Sequence, residues 1–162
     1  MTVEIREAAL EDLETLMEWR MRVLHEVFSL PSHQPVETLE RENRRYYQDA
    51  IPTGAHIACF ARLGDAIVGC GGICFYNEMP SPDNPTGACA YLMNIYTCPR
   101  LRGQGIGKAI VLWLIRQAKQ RHITKIYLES SRPGKALYQA LGFTAMPDMM
   151  QLPSAPCSEK DE

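Results

Sequence analysis

The run "ACAYLMNIYT" at 88–97 is almost continuously apolar, and it leads through "CPRLRGQGIGK" into "AIVLWLIRQA". A strand of that composition asks for burial on both faces, so the sheet that holds it must be covered by helices on either side. The apolar spacing that follows predicts a helix from about Ile106 to Arg121. Between strand and helix stand Gly103, Gly105 and Gly107. Unpaired backbone N–H groups at a helix start, with a dipole worth about half a positive charge, make an anion site. Glycine lets the backbone approach a ligand closely, and a phosphate-bearing ligand is the natural occupant.

The remaining segments build a mixed α/β sheet with helices on both faces. "TVEIREA" reads as a short opening strand, and Leu10, Leu13, Met17, Met21, Leu24 and Phe28 mark one face of an amphipathic helix. "PSHQP" breaks that helix, and "VETLERENRRYYQDAIP" starts a second one that Pro52 and Gly54 end. "AHIACFARL" and "AIVGCGGICFYNE" are strands joined at Gly64-Asp65, and "MPSPDNPTG" is expected as an exposed loop. After the central helix come the strand "KIYLES", a short helix around "GKALYQAL" and a last strand near "FTAM". With 162 residues, one domain over 1–152 and a flexible tail over 153–162 are expected.

A formal net charge of −2 gives no nucleic-acid footprint. The charged N-terminus lacks a signal-peptide core and no run is long enough to span a bilayer, so no membrane partner is expected and the location is expected to be cytoplasmic. Four of the six cysteines sit in apolar strand-like runs, where a thiol acts as a small hydrophobe. No Cys-x-x-Cys pair or His/Cys cluster has zinc spacing, so no metal is expected.

Two nucleotide loops fail on spacing. A P-loop would need Gly where Arg102 stands and Ser or Thr where Ala109 stands, and a dinucleotide fingerprint would need Gly at Lys108. Arg102-x-x-Gly105-x-Gly107 instead resembles the acyl-CoA pyrophosphate loop of the GNAT acetyltransferases. "YLMNIYTCPRLRGQGIGKAI" is similar to that family's fourth strand, loop and third helix, and "LESSRPGKALYQALGF" to its fifth strand, fourth helix and final turn. The resemblance implies a mixed, mostly antiparallel central sheet flanked by helices, with splayed fourth and fifth strands. It implies an acetyl-CoA-dependent N-acetyltransferase, a transferase moving acetyl directly to an amine of a small molecule or peptide. The alternatives are a non-catalytic acyl-CoA-binding or regulatory module and a dimer-forming interaction protein with a vestigial pocket. Exposed strand edges would suit a homodimer.

On that resemblance acetyl-CoA would be held by Arg102, Gly103, Gln104, Gly105, Ile106, Gly107 and Lys108. The backbone of Asn94, Ile95, Tyr96 and Thr97 would hold the pantetheine arm, and Ser131 stands where many relatives have a cofactor-touching Asn. Tyr138 is implied as the acid that protonates the leaving thiolate; its spacing with Leu137 and Leu141 also suits a core tyrosine. Several relatives use a Glu early in the fourth strand as base, and Cys89 and Tyr91 stand there instead. Glu78, beside the proline loop, is then the first candidate base and His25 the second. Cys89 could serve as a nucleophile, but with no basic partner nearby in sequence it reads as an inert thiol.

Overall fold

The computed structural model describes residues 2–31, 33 and 35–154. In chain order the elements are β1 (Glu4–Ala8), α1 (Leu13–Val27), α2 (Glu37–Thr53), β2 (His56–Leu63), β3 (Ala66–Asn77), β4 (Ala88–Thr97), α3 (Ile106–Gln120), β5 (Lys125–Leu128) and α4 (Lys135–Ala140). Single-turn 3-10 segments precede α1 at Leu10–Asp12 and follow β4 at Pro99–Leu101. The five strands lie in the sheet in chain order, antiparallel from β1 to β4 and parallel between β4 and β5.

Strand alternation divides the core in two. On one face Ile57, Cys59, Ala61, Ile73, Ala90 and Leu92 meet Ile106, Ile110, Val111, Leu114 and Ala118 of α3. On the other, Ala58, Phe60, Cys70 and Tyr96 meet Leu16, Met17, Trp19 and Val23 of α1 and Tyr47 of α2. β4 is thus buried at Ala90 and Leu92 on its α3 face, whereas on the α1/α2 face Cys89 and Tyr96 are buried and Tyr91 and Met93 stay half-open, so its continuous apolarity is only partly spent on two-sided burial. Glycine decides how tightly α3 seats: a Cβ on Gly71 would lie 2.4 Å from Ile110 Cγ2, so the helix rests on bare backbone.

Two distortions of β4 shape the site. Cys70 pairs with Tyr96 but Gly72 pairs with Met93, so Asn94 and Ile95 together oppose the single residue Gly71, a β-bulge, with Asn94 in the left-handed region at φ 59°. The parallel ladder with β5 covers only Cys89–Leu92 against Lys125–Leu128. Beyond Leu92 the two strands part, which is the splay implied by the resemblance.

The last strand expected near "FTAM" does not form: residues 143–146 carry no regular structure. Phe143 is spent on packing against Tyr138, with ring centres 5.9 Å apart, and a turn at Pro147–Asp148 cuts the run. The loop "MPSPDNPTG" is not uniformly exposed either, because Asn84 is 1% accessible. Its amide anchors the loop by donating to Ala88 O and to Glu78. Most of the expected tail, residues 155–162, and Ser32 and Gln34 of "PSHQP" lie outside the described residues. Among the described residues no helix is long and apolar enough to cross a membrane.

Candidate active site

The glycine loop is built by backbone conformation. Gly103 and Gly105 hold φ of 79° and 84°, and a Cβ at either would meet nothing within 4 Å, so glycine is required for the dihedral and the space above stays open. Among the described residues no hydrogen-bond partner is found for the N–H groups of Gly103, Gln104, Gly105, Ile106, Gly107 and Lys108; the first α3 bond runs from Ala109 N–H to Gly105 O. Six consecutive free donors at a helix start suit a diphosphate. Ile106 is 2% accessible, so its side chain anchors the helix and only its backbone can serve a ligand. Gly107 lets α4 close in: a Cβ there would lie 3.3 Å from Leu137 Cδ2 and 3.7 Å from Thr97 Oγ1.

Arg102 folds back across the end of β4. Its Nε donates to Thr97 O at 3.1 Å and its Nη2 to Glu26 Oε1 at 2.6 Å, and its guanidinium lies 5.5 Å from the Tyr96 ring centre. The Tyr96 hydroxyl donates to the same Glu26 carboxylate, which this bond and Arg102 hold below the usual carboxylate range. Tyr96 thus turns its side chain toward α1 and offers a ligand only backbone. Glu26 was not among the expected site residues; its contact with Arg102 spans 76 positions and has no local signal.

Along the gap between β4 and β5, the β4 edge at Asn94, Ile95, Tyr96 and Thr97 has no strand partner on its β5 side among the described residues. Tyr138 of α4 packs against the α3-side core, half-buried, with its ring edge-on to Phe143 and Gly134 close beneath it. No hydrogen-bond partner of its hydroxyl is found among the described residues, and burial pushes the phenol up from its ordinary value. Ser131 lies in the turn before α4, where its Oγ accepts from Gly134 N–H at 3.3 Å.

Glu78 lines the same open cavity as Tyr138, Tyr127 and Glu129, at its Lys125 end. Its carboxylate accepts from Lys125 Nζ at 2.8 and 3.0 Å and from Asn84, and these bonds hold it below the usual carboxylate range. Lys125 pairs with Cys89, at the closed end of the ladder, three pairs before the strands part. A carboxylate so engaged is a weak proton acceptor. His25 lies in the last turn of α1. Cys89 is fully buried and burial raises its thiol, so no thiolate forms readily there.

The α1/α2 face carries a polar layer that local reading missed. Arg20 donates to Asn43 Oδ1 at 2.8 Å and to Asn94 Oδ1 at 3.0 Å, tying both helices to the bulge. His56, 3% accessible, shares a 2.9 Å hydrogen bond with the Tyr46 hydroxyl, and burial brings its imidazole down to about 4. Further along that face, Tyr76, Tyr91 and Tyr127 lie side by side, and Glu129 follows Leu128. The alternation Lys125, Tyr127, Glu129 was legible; their union with β3 and β4 depends on a parallel register across α3.

Against known proteins, the family model described as "Acetyltransferase (GNAT) family" matches residues 14–143. Glucosamine 6-phosphate N-acetyltransferase of Trypanosoma brucei brucei is 31% identical over 65 residues, 40% of this chain and 44% of that protein. The match thus spans less than half of that relative's length. A predicted acetyltransferase from Clostridium acetobutylicum, solved with acetyl-CoA, is 27% identical, with a TM-score of 0.84 over 94% of this chain and 96% of that one. A GCN5-related N-acetyltransferase from Ralstonia eutropha, 22% identical, shares the fold with a TM-score of 0.78 over 93% of this chain and 98% of its own.

Proposed function

The chain belongs to the acetyltransferase (GNAT) family, and from that membership we propose that it transfers an acetyl group from acetyl-CoA directly to an amine of a small molecule or peptide. The observation that carries this reading is the run of six free N–H donors at Gly103–Lys108 opening onto the unpaired edge of β4. One end suits a diphosphate and the other the amide groups of an extended arm.

Acetyl-CoA, as donor substrate, brings a thioester carbonyl that an amine can attack. The loop donors of Gly103, Gln104, Gly105, Ile106, Gly107 and Lys108 hold the diphosphate, and the Lys108 side chain adds charge. Arg102, clamped by Glu26, fixes the end of β4 and so the loop's starting point. Backbone groups of Asn94, Ile95, Tyr96 and Thr97 hold the arm, and an N–H freed by the bulge polarises the carbonyl oxygen. Tyr138, kept protonated by burial, gives its proton to the leaving thiolate. Ser131 adds a polar contact at the turn into α4. Glu78 is proposed as a structural anchor for Lys125 and Asn84 instead of the base that the sequence suggested. A reducing, cytoplasmic location, which suits the buried thiols of Cys59, Cys70 and Cys89, and a homodimer through an exposed sheet edge complete the proposal.

Incubation with acetyl-CoA and a panel of amines, read by mass spectrometry, tests the reading. Acetylated amine formed in step with free CoA is expected. Tight acetyl-CoA binding with no product from any amine would favour the non-catalytic module, which the absence of a β4 carboxylate motivates.

A further inference from the structure

On the face that carries α1 and α2, the helices cover the rows around Ala58, Phe60 and Cys70 and leave the β3–β5 corner bare. That corner is aromatic. Tyr91 of β4 and Tyr127 of β5 are register partners with ring centres 5.0 Å apart. Tyr76 of β3 adds a third ring, 6.4 Å from Tyr127, and the two hydroxyls are bonded to each other. None of the three belongs to either hydrophobic core, and Tyr76 is 40% exposed. A cluster of half-open rings that pack on one another but lie outside both cores is a candidate binding surface.

Register fixes where that surface lies. Tyr91 and Tyr127 form the pair immediately before Leu92 and Leu128, the last pair before the strands part. The rings therefore floor the closed end of the gap, where the thioester would emerge under the acetyl-transfer reading on which this inference rests. Glu129 comes next in the chain after Leu128, is exposed, and by alternation shares the face of Tyr127. Burial and the nearby Glu129 carboxylate both raise the Tyr91 phenol.

The charges here select the ligand. Lys125 is paired with Glu78, whereas Arg20, beside the bulge, is fixed in place by the neutral amides of Asn43 and Asn94 and keeps its charge there. At the rings themselves a phosphate would meet π faces and the Glu129 carboxylate, whereas an ammonium would be attracted by both. We infer that Tyr76, Tyr91, Tyr127 and Glu129 form the acceptor site, that it takes a cationic primary amine and not a phosphorylated sugar, and that Glu129 holds the ammonium and receives its first proton.

In the resulting step the ammonium gives one proton to Glu129, which passes it to water, and the freed lone pair forms the C–N bond. As the C–S bond breaks, the thiolate takes the proton of Tyr138. The second N–H proton leaves the new amide nitrogen and restores the tyrosine through solvent. The products are an N-acetyl amine, CoA thiol and one proton released.

The test titrates 1,4-diaminobutane or glucosamine 6-phosphate into the full chain saturated with CoA, read by calorimetry and by tyrosine ring NMR signals. The diamine is expected to bind and shift the ring signals, with Glu129→Gln weakening it about tenfold and Tyr127→Leu several-fold while CoA affinity stays within about twofold. Tighter binding of the sugar phosphate, or diamine binding unchanged in both variants, would overturn the inference. Acetylation of the diamine is followed in parallel. If the diamine binds as described but is never acetylated, the transfer reading fails and the acceptor site stands. If it is acetylated and Glu129→Gln keeps kcat/KM within about twofold, the acceptor site fails and the transfer reading stands.

Discussion

At the scale of single residues, the proposed chemistry rests on Tyr138, whose hydroxyl has no partner among the described residues and whose ring is wedged between Phe143 and Gly134. Removing only the hydroxyl leaves that packing intact. Tyr138→Phe is therefore expected to lower kcat by about 10²–10⁴-fold with acetyl-CoA affinity nearly unchanged, as read by steady-state kinetics beside calorimetry. Burial raises the phenol, and the acid acts in its protonated form, so no loss of kcat from Tyr138 is expected as pH rises through the neutral range. Residue type alone does not separate the two roles proposed for Glu78, base and structural anchor. A lone carboxylate beside a proline loop invites a base role, yet Lys125, 47 positions away, already occupies it. Glu78→Gln is expected to cost stability while kcat/KM in the surviving folded protein changes little, measured by thermal unfolding beside turnover.

At the scale of elements, the strand–loop–helix unit was legible because each part signals locally: continuous apolarity in β4, helical spacing in α3, glycines between. The bulge in β4 was not, since Asn94 and Ile95 bulge only because β3 offers Gly71 alone opposite them. The missing last strand shows the reverse failure, an apolar run whose Phe143 was claimed by α4 and which Pro147 cut short. The seating of α3 carries its own expectation. With 2.4 Å between a Cβ at Gly71 and Ile110 Cγ2, Gly71→Ala must push the helix outward, at about 1–3 kcal/mol. Chemical denaturation should show that loss, and the displaced glycine loop should bind acetyl-CoA more weakly; unchanged stability would mean that the helix is not seated as described.

At the scale of the molecule, the two cores place β4 between the face covered by α3 and the face carrying α1 and α2, so the proposed cofactor loop and the proposed acceptor corner are both set by that one strand. His56 links this arrangement to pH. Its imidazole sits near 4 in the fold, held there by burial and then by Arg20, against an ordinary 6.5. The unfolded chain binds the proton first, so stability is full above about pH 6.5 and falls toward pH 4, by about 3 kcal/mol in all. Denaturation across that range should show the slope, and His56→Asn should flatten it. The buried histidine could not have been read from "GAHIACF", because only the register against Cys74 and the approach of Tyr46 bury it. The central claim, that the loop before α3 is an acetyl-CoA site shaped by left-handed glycines, is tested most directly by calorimetric titration of acetyl-CoA into the wild type, Gly105→Asn and Gly105→Val. Asparagine tolerates the left-handed region and valine does not. The expected result is near wild-type affinity for Asn and a loss of tenfold or more for Val, about 1.4 kcal/mol or more; equal affinity in all three would contradict it.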